Sequence, residues 1–211
     1  MAAVRTFTLP HYEAYPVHIA LFEDVSNAAY LRSQLLAANP EFDYAFIDAA
    51  MILTPTHLLS ATALSLHAFL HSSPKTHTPH SELLFRLSPT NNIGEAYRLF
   101  GIADSTTAVI AVKLALGKDG RVDPGVSAEG VGEFLGRVVE GRSVEIEVGG
   151  EGEGEEGLGA RADVHRIKKV YKISCAKGKG GKGAKGGNGG EKDDRAGIES
   201  VVLGAMALKG W

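Results

Sequence analysis

Four histidines fall in HAFLHSSPKTHTPH (67 to 80), and His67 and His71 stand four apart, a spacing that puts two imidazoles on one helical face, as metal sites do. No carboxylate or cysteine accompanies them to complete a ligand set. The stretch therefore reads as a helix end whose late imidazoles suit the negative C-terminal dipole, followed by a polar, proline-containing loop with His77 and His80. The pattern G-x-G-x-x-G occurs twice, as GEGEEG (152 to 157) and GKGGKG (178 to 183). A dinucleotide fingerprint needs a strand entering the loop and a helix leaving it, so that helix N–H groups face the pyrophosphate. The first copy is studded with carboxylates that repel phosphate, and the second runs on into more glycine, so both read as low-complexity sequence. Neither G-x-x-x-x-G-K-[ST] nor G-x-S-x-G is present, and Cys175, the sole cysteine, has no evident base beside it. The residue chemistry points to no enzyme, no metal and no cofactor.

What remains is charge. The formal net charge of -3 conceals a basic stretch: residues 161 to 195 hold eleven Lys or Arg against four Asp or Glu, a local +7 that leaves -10 for the rest. Within it, ADVHRIKKVYKIS (162 to 174) reads as a helix. Val164, Ile167, Val170, Tyr171 and Ser174 form an apolar stripe, and Arg166, Lys168, Lys169 and Lys172 lie elsewhere. Those four cations are the candidate nucleic-acid contacts, with Tyr171 the one ring interleaved for stacking. A solvated face is the plainer reading of the same pattern.

The elements that must carry these residues follow from periodicity. VHIALFE (17 to 23) is predicted as a strand, with Asp24 and Ser26 as N-caps for the helix in NAAYLRSQLLAAN (27 to 39). YAFIDA (44 to 49) is predicted as a short buried strand, and TPTHLLSATALSLHAFLHSS (54 to 73) as a helix opened by Thr and Pro. ELLFRLS (82 to 88) and TTAVIAVKLAL (106 to 116) read as neighbouring strands. SAEGVGEFLGRVVEG (127 to 141) follows as a helix and SVEIEV (143 to 148) as an edge strand. Between the two central runs, SPTNNIGEAYRLFGI (88 to 102) encodes a brief helix. Asn92 can cap it, Glu95 can reach back, Ile93, Ala96, Tyr97 and Phe100 make one apolar stripe, and Gly101 can end it in the left-handed conformation. A helix of about two turns is marginal in water, so tertiary contacts must hold it.

Length allows one domain with an appreciable core. The expected layout is an α/β core over 1–148, an acidic Gly/Glu insertion over 149–159, the basic helix over 160–175, a Gly/Lys-rich tract expected to be disordered over 176–190, and a closing helix over 191–211. In GIESVVLGAMALKGW (197 to 211) the apolar residues form two stripes, Ile198, Val202 and Met206 against Val201, Ala205 and Leu208, so one side can pack on the domain and another can meet a partner. The single cysteine fits a reducing compartment, and the N-terminus lacks the apolar run of a secretory signal, so a soluble intracellular protein is expected.

The ordered motifs IALFEDVSNAAYLR (19 to 32), AFIDA (45 to 49), LSPTNNIGEAYRLFGI (87 to 102), RIKKVYKIS (166 to 174) and AMALKGW (205 to 211) together resemble the kinase-binding small subunit family of the KEOPS/EKC complex, fungal members most of all. The resemblance implies an α+β fold, a small antiparallel sheet packed with several helices in a single domain. It also implies a non-catalytic subunit that binds the PRPK-type atypical kinase of the complex, meets its other subunits indirectly, and helps recruit tRNA by the 3′ CCA end for threonylcarbamoyladenosine modification beside the anticodon. On this reading the kinase-facing residues are Asn92, Ile93, Tyr97, Leu99, Ile198, Val202, Met206 and Trp211, and the protein works in nucleus and cytoplasm. An independent RNA-binding module and a metal-dependent enzyme are the alternatives. The negative charge outside 161–195 counts against the first, and the missing acid, base and nucleophile set against the second.

Overall fold

In a computed structural model of the chain, residues 1–71, 73–117, 120–146, 157–173 and 190–209 are described, without the side chains of 190–194. Five strands, β1 (Arg5–Phe7), β2 (Val17–Glu23), β3 (Ala45–Asp48), β4 (Val109–Leu114) and β5 (Arg142–Val144), form one antiparallel sheet in the order β1-β2-β4-β3. β5 pairs with Leu21–Glu23 of β2, and β1 with Val17–Ile19. Among the described residues seven α-helices pack on the sheet: α1 (Ala28–Leu36), α2 (Pro55–Leu70), α3 (Pro79–Leu87), α4 (Ile93–Phe100), α5 (Ala128–Val138), α6 (Val164–Val170) and α7 (Gly190–Leu208). The fold is α+β.

Alternation along the strands builds two apolar layers. Ile19, Leu21, Ala45, Ile47, Ile110 and Val112 face α2, α3, α4, α6 and α7; Ala20, Phe22, Phe46, Val109 and Ala111 face α1 and α5. β2 is buried at every position, which explains why it reads as a continuous apolar run rather than an alternating one.

Three local expectations are corrected. ELLFRLS is not a strand but most of α3: Thr78 Oγ1 accepts from the Ser81 N–H at 3.1 Å and Pro79 takes the first helical position. Its neighbours leave no outward face. Glu82 is fully buried, pairs with Arg86 Nε at 2.8 Å, and accepts from the backbone N–H groups of Lys75 and Thr76. The start of α1 is Asn27 rather than Asp24 or Ser26, and the Asn27 amide instead donates to the Val138 carbonyl and accepts from the Glu140 N–H, tying α1 to the end of α5. Gly101 is extended, with φ -73° and ψ 169°. Glycine is required there by proximity, since a Cβ would lie 2.5 Å from the Tyr97 carbonyl oxygen.

Candidate partner interface

The short helix α4 forms as its sequence demands. Asn92 Oδ1 accepts from the Glu95 N–H at 3.0 Å, and Ala96 and Phe100 are fully buried against the domain. The other half of the stripe is not. Ile93 is 41% exposed and Tyr97 36%, while Leu99 is half-buried against the larger apolar layer. Asn92 itself is exposed. A marginal helix is thus clamped from one side and offers an aliphatic and an aromatic side chain on the other.

The clamp is a buried polar network. His57 Nδ1 accepts from the Leu53 N–H at 3.3 Å, so Nε2 carries the proton and donates to Tyr171 Oη at 3.0 Å. The Tyr171 hydroxyl donates in turn to the carbonyl oxygen of Leu87, the residue before the Ser-Pro-Thr segment. The Phe100 ring meets both partners edge-on, at 6.4 Å from His57 and 6.2 Å from Tyr171. Burial pushes the His57 imidazole down to about 4 and raises the Tyr171 phenol, so each is held in its neutral form. Tyr171 is therefore no stacking platform, because its ring is inside the domain.

The four predicted cations, three in α6 and Lys172 just past its end, separate. Arg166 pairs with Asp48 at 3.0 Å, and Lys168 is half-buried, whereas Lys169 and Lys172 are exposed. Asp163 caps the helix by accepting from the Arg166 N–H at 2.9 Å. At the other end Lys172 takes a left-handed conformation, φ 55°, with the Ile173 N–H donating to the Lys168 carbonyl at 2.8 Å. The apolar residue this helix sinks deepest is Ile167.

In α7 the two stripes are resolved. Ile198, Val202 and Met206 are buried, with Val202 and Met206 at 0% and 1% exposure, so these three are core and do not offer themselves to a partner. Val201, 47% exposed, and Leu208, 88% exposed, hold the outer side. Periodicity found both stripes but carries no sign that tells inside from outside. The end of the helix is pinned by Lys209, whose ammonium donates to the Phe85 carbonyl and lies 3.6 Å from the Phe85 ring centroid. Trp211 and Cys175 lie outside the described residues. α4, α6 and α7 share one layer of the sheet, so both groups of predicted site residues belong to the same side of the protein.

The histidines find ordinary roles. His67 and His71 stack at 4.0 Å, with His67 Nδ1 at 2.8 Å from the Tyr12 hydroxyl. His80 is not in a polar loop but buried in α3, bonded to Asp43 at 3.0 Å and accepting from the Leu114 N–H. Among the described residues no group of three or more His, Cys, Asp or Glu is arranged to hold a metal.

Comparison with known proteins adds what geometry cannot. Residues 22–210 match the family model described as kinase binding protein CGI-121. The EKC/KEOPS complex subunit CGI121 of Phaeosphaeria nodorum is 52% identical, with 99% of this chain and all of that one covered. The namesake subunit of Aspergillus fumigatus is 38% identical over 98% of this chain and 97% of its own. That of Schizosaccharomyces pombe is 34% identical over 78% and 86%.

Proposed function

Because the chain belongs to the CGI-121 kinase-binding protein family, we propose that it is the kinase-binding, non-catalytic subunit of an EKC/KEOPS complex and docks the small atypical kinase through the outer faces of α4 and α7. The observation that carries this reading is the half-used stripe of α4: Ala96 and Phe100 are buried and hold the short helix to the domain, while Ile93 and Tyr97 on the same stripe keep 41% and 36% of their surface exposed. Val201 and Leu208 extend the apolar supply on α7.

The same subunit helps recruit tRNA by its 3′ CCA end for threonylcarbamoyladenosine modification beside the anticodon, with Lys169 and Lys172 as the phosphate contacts and Arg166 beside them. The protein works in nucleus and cytoplasm. What supports the tRNA role is the exposed basic side of α6, and a freestanding RNA-binding module is disfavoured because one of its four cations is already paired to Asp48.

Co-purification of the tagged chain tests the reading. Wild type is expected to bring down a small kinase, and the Tyr97→Ala, Val201→Glu double variant to lose it at an unchanged melting temperature. Recovery of the kinase with that variant at the wild-type level would overturn the assigned surface.

A further inference from the structure

At the end of the sheet where β2 and β3 finish and β4 begins, a cleft of about 490 Å³ is lined by Asp48, Ala50, the Ala103–Ala108 loop, Arg161 and Arg166. Both guanidiniums are held in place by carboxylates from strand ends, Arg161 by Glu23 and Arg166 by Asp48 at 3.0 Å. A guanidinium carries five N–H donors, so each keeps donors for a second anion while its own position is fixed. Facing them, the loop folds as a turn, with the Thr106 N–H donating to the Ala103 carbonyl at 3.0 Å and Thr106 Oγ1 accepting from the Ala103 N–H. That turn leaves the hydroxyls of Ser105 and Thr107 exposed and with no hydrogen-bond partner among the described residues. A third cation, Arg32, is attached to the same loop through Asp104 at 3.1 Å.

Among the described residues no ring lines the cleft, so these residues offer no platform for a base, and their donors suit a compact tetrahedral anion. We propose that Ser105, at the tip of the turn, is a phosphorylation site whose phosphate seats on Arg161 and Arg166. The Ser105 oxygen attacks the γ-phosphorus of a nucleoside triphosphate held by a protein kinase. The new O–P bond forms as the bond to the β-phosphate oxygen breaks, the nucleoside diphosphate leaves, and the hydroxyl proton passes to the kinase's base. The dianion then competes with Glu23 and Asp48, each a single negative charge, for the two guanidiniums. Arg166, which already lines the cleft beside Asp48, then directs its remaining donors to the dianion instead of to a nucleic-acid phosphate, and phosphorylation lowers the affinity of that side of α6 for nucleic acid. The last step rests on the tRNA reading above; the seating of the phosphate does not.

Phosphoserine installed at position 105 by translation separates the two. By phosphorus NMR its second ionisation is expected at least about one pH unit below the value near 6 of an unstructured phosphoserine peptide, and to return toward that value in the Arg161→Gln, Arg166→Gln background. An unshifted ionisation in a protein that melts cooperatively would overturn the site. For the enzyme, the complex purified with its kinase is incubated with magnesium ATP and mapped by mass spectrometry: phosphate at residue 105, absent from Ser105→Ala and retained in Thr107→Ala, is expected. No phosphate at residue 105 would overturn the modification. If the ionisation shifts while tRNA titrations keep the wild-type salt slope, the seat stands and the tRNA reading fails; the expected change is a slope smaller by about 0.7 to 0.9.

Discussion

The Tyr171 hydroxyl donates to the Leu87 carbonyl oxygen, which joins the basic helix α6 to the corner from which α4 starts. The Tyr171 hydroxyl oxygen also accepts from His57 Nε2 at 3.0 Å, so one phenol satisfies two buried groups. Tyr171→Phe leaves both without a partner and is expected to cost about 1–3 kcal/mol in urea unfolding. A change below ~0.5 kcal/mol would mean that water or a shifted side chain replaces the phenol.

Stability should fall in mild acid, because the folded-state pKa of His57 is pushed down to about 4 by burial while the unfolded imidazole titrates near 6.5. Between those values the unfolded chain binds the extra proton, so this contribution is complete above about pH 6.5 and is lost as pH falls toward 4. From pH 7 to pH 5 the loss attributable to His57 is about 2 kcal/mol. Burial lowers His80 and His18 in the same direction, so the comparison is with His57→Gln, which should show a shallower slope than wild type over this window. Equal slopes would remove His57 from the account.

Lys172 occupies a left-handed position, φ 55°, that glycine fills without a Cβ penalty. Lys172→Gly is therefore expected to raise unfolding stability by about 0.5–1 kcal/mol, read as a higher urea midpoint, while weakening tRNA binding by the assembled complex. A destabilised variant would show that the lysine side chain contributes packing worth more than the backbone strain.

How much of this was legible in the sequence depended on how many independent signals each segment carried. α4 was readable to its boundaries because Asn92, the four-residue stripe and Gly101 agree, although the glycine serves a close approach to the Tyr97 carbonyl rather than a left-handed turn. α3 was misread as a strand, since burial takes in the charged Glu82–Arg86 pair together with the leucines, and no local pattern signals that. Its start signal was nonetheless present: Thr78-Pro79 repeats the Thr54-Pro55 opening of α2. In α7 the two apolar stripes were visible, but which of them faces the domain is decided by α2 and α3, elements remote in sequence. The apolar stripe already included Tyr171, but its hydrogen-bond partner was invisible, because His57 lies 114 residues away.

Met206 illustrates that limit. As a core residue at 1% exposure, its replacement by glutamate buries an unpaired charge, and Met206→Glu is expected to lower the melting temperature by roughly 6 °C or more. Calorimetry checks it; a wild-type melting temperature would return Met206 to the surface.

The central claim is that the kinase docks on the outward side of α4, and calorimetric titration of the purified kinase into wild type and Tyr97→Ala measures it most directly. The account predicts that Tyr97→Ala melts within about 2 °C of wild type and binds at least ~2 kcal/mol more weakly, roughly thirtyfold. Unchanged affinity in a variant that melts as wild type would contradict it.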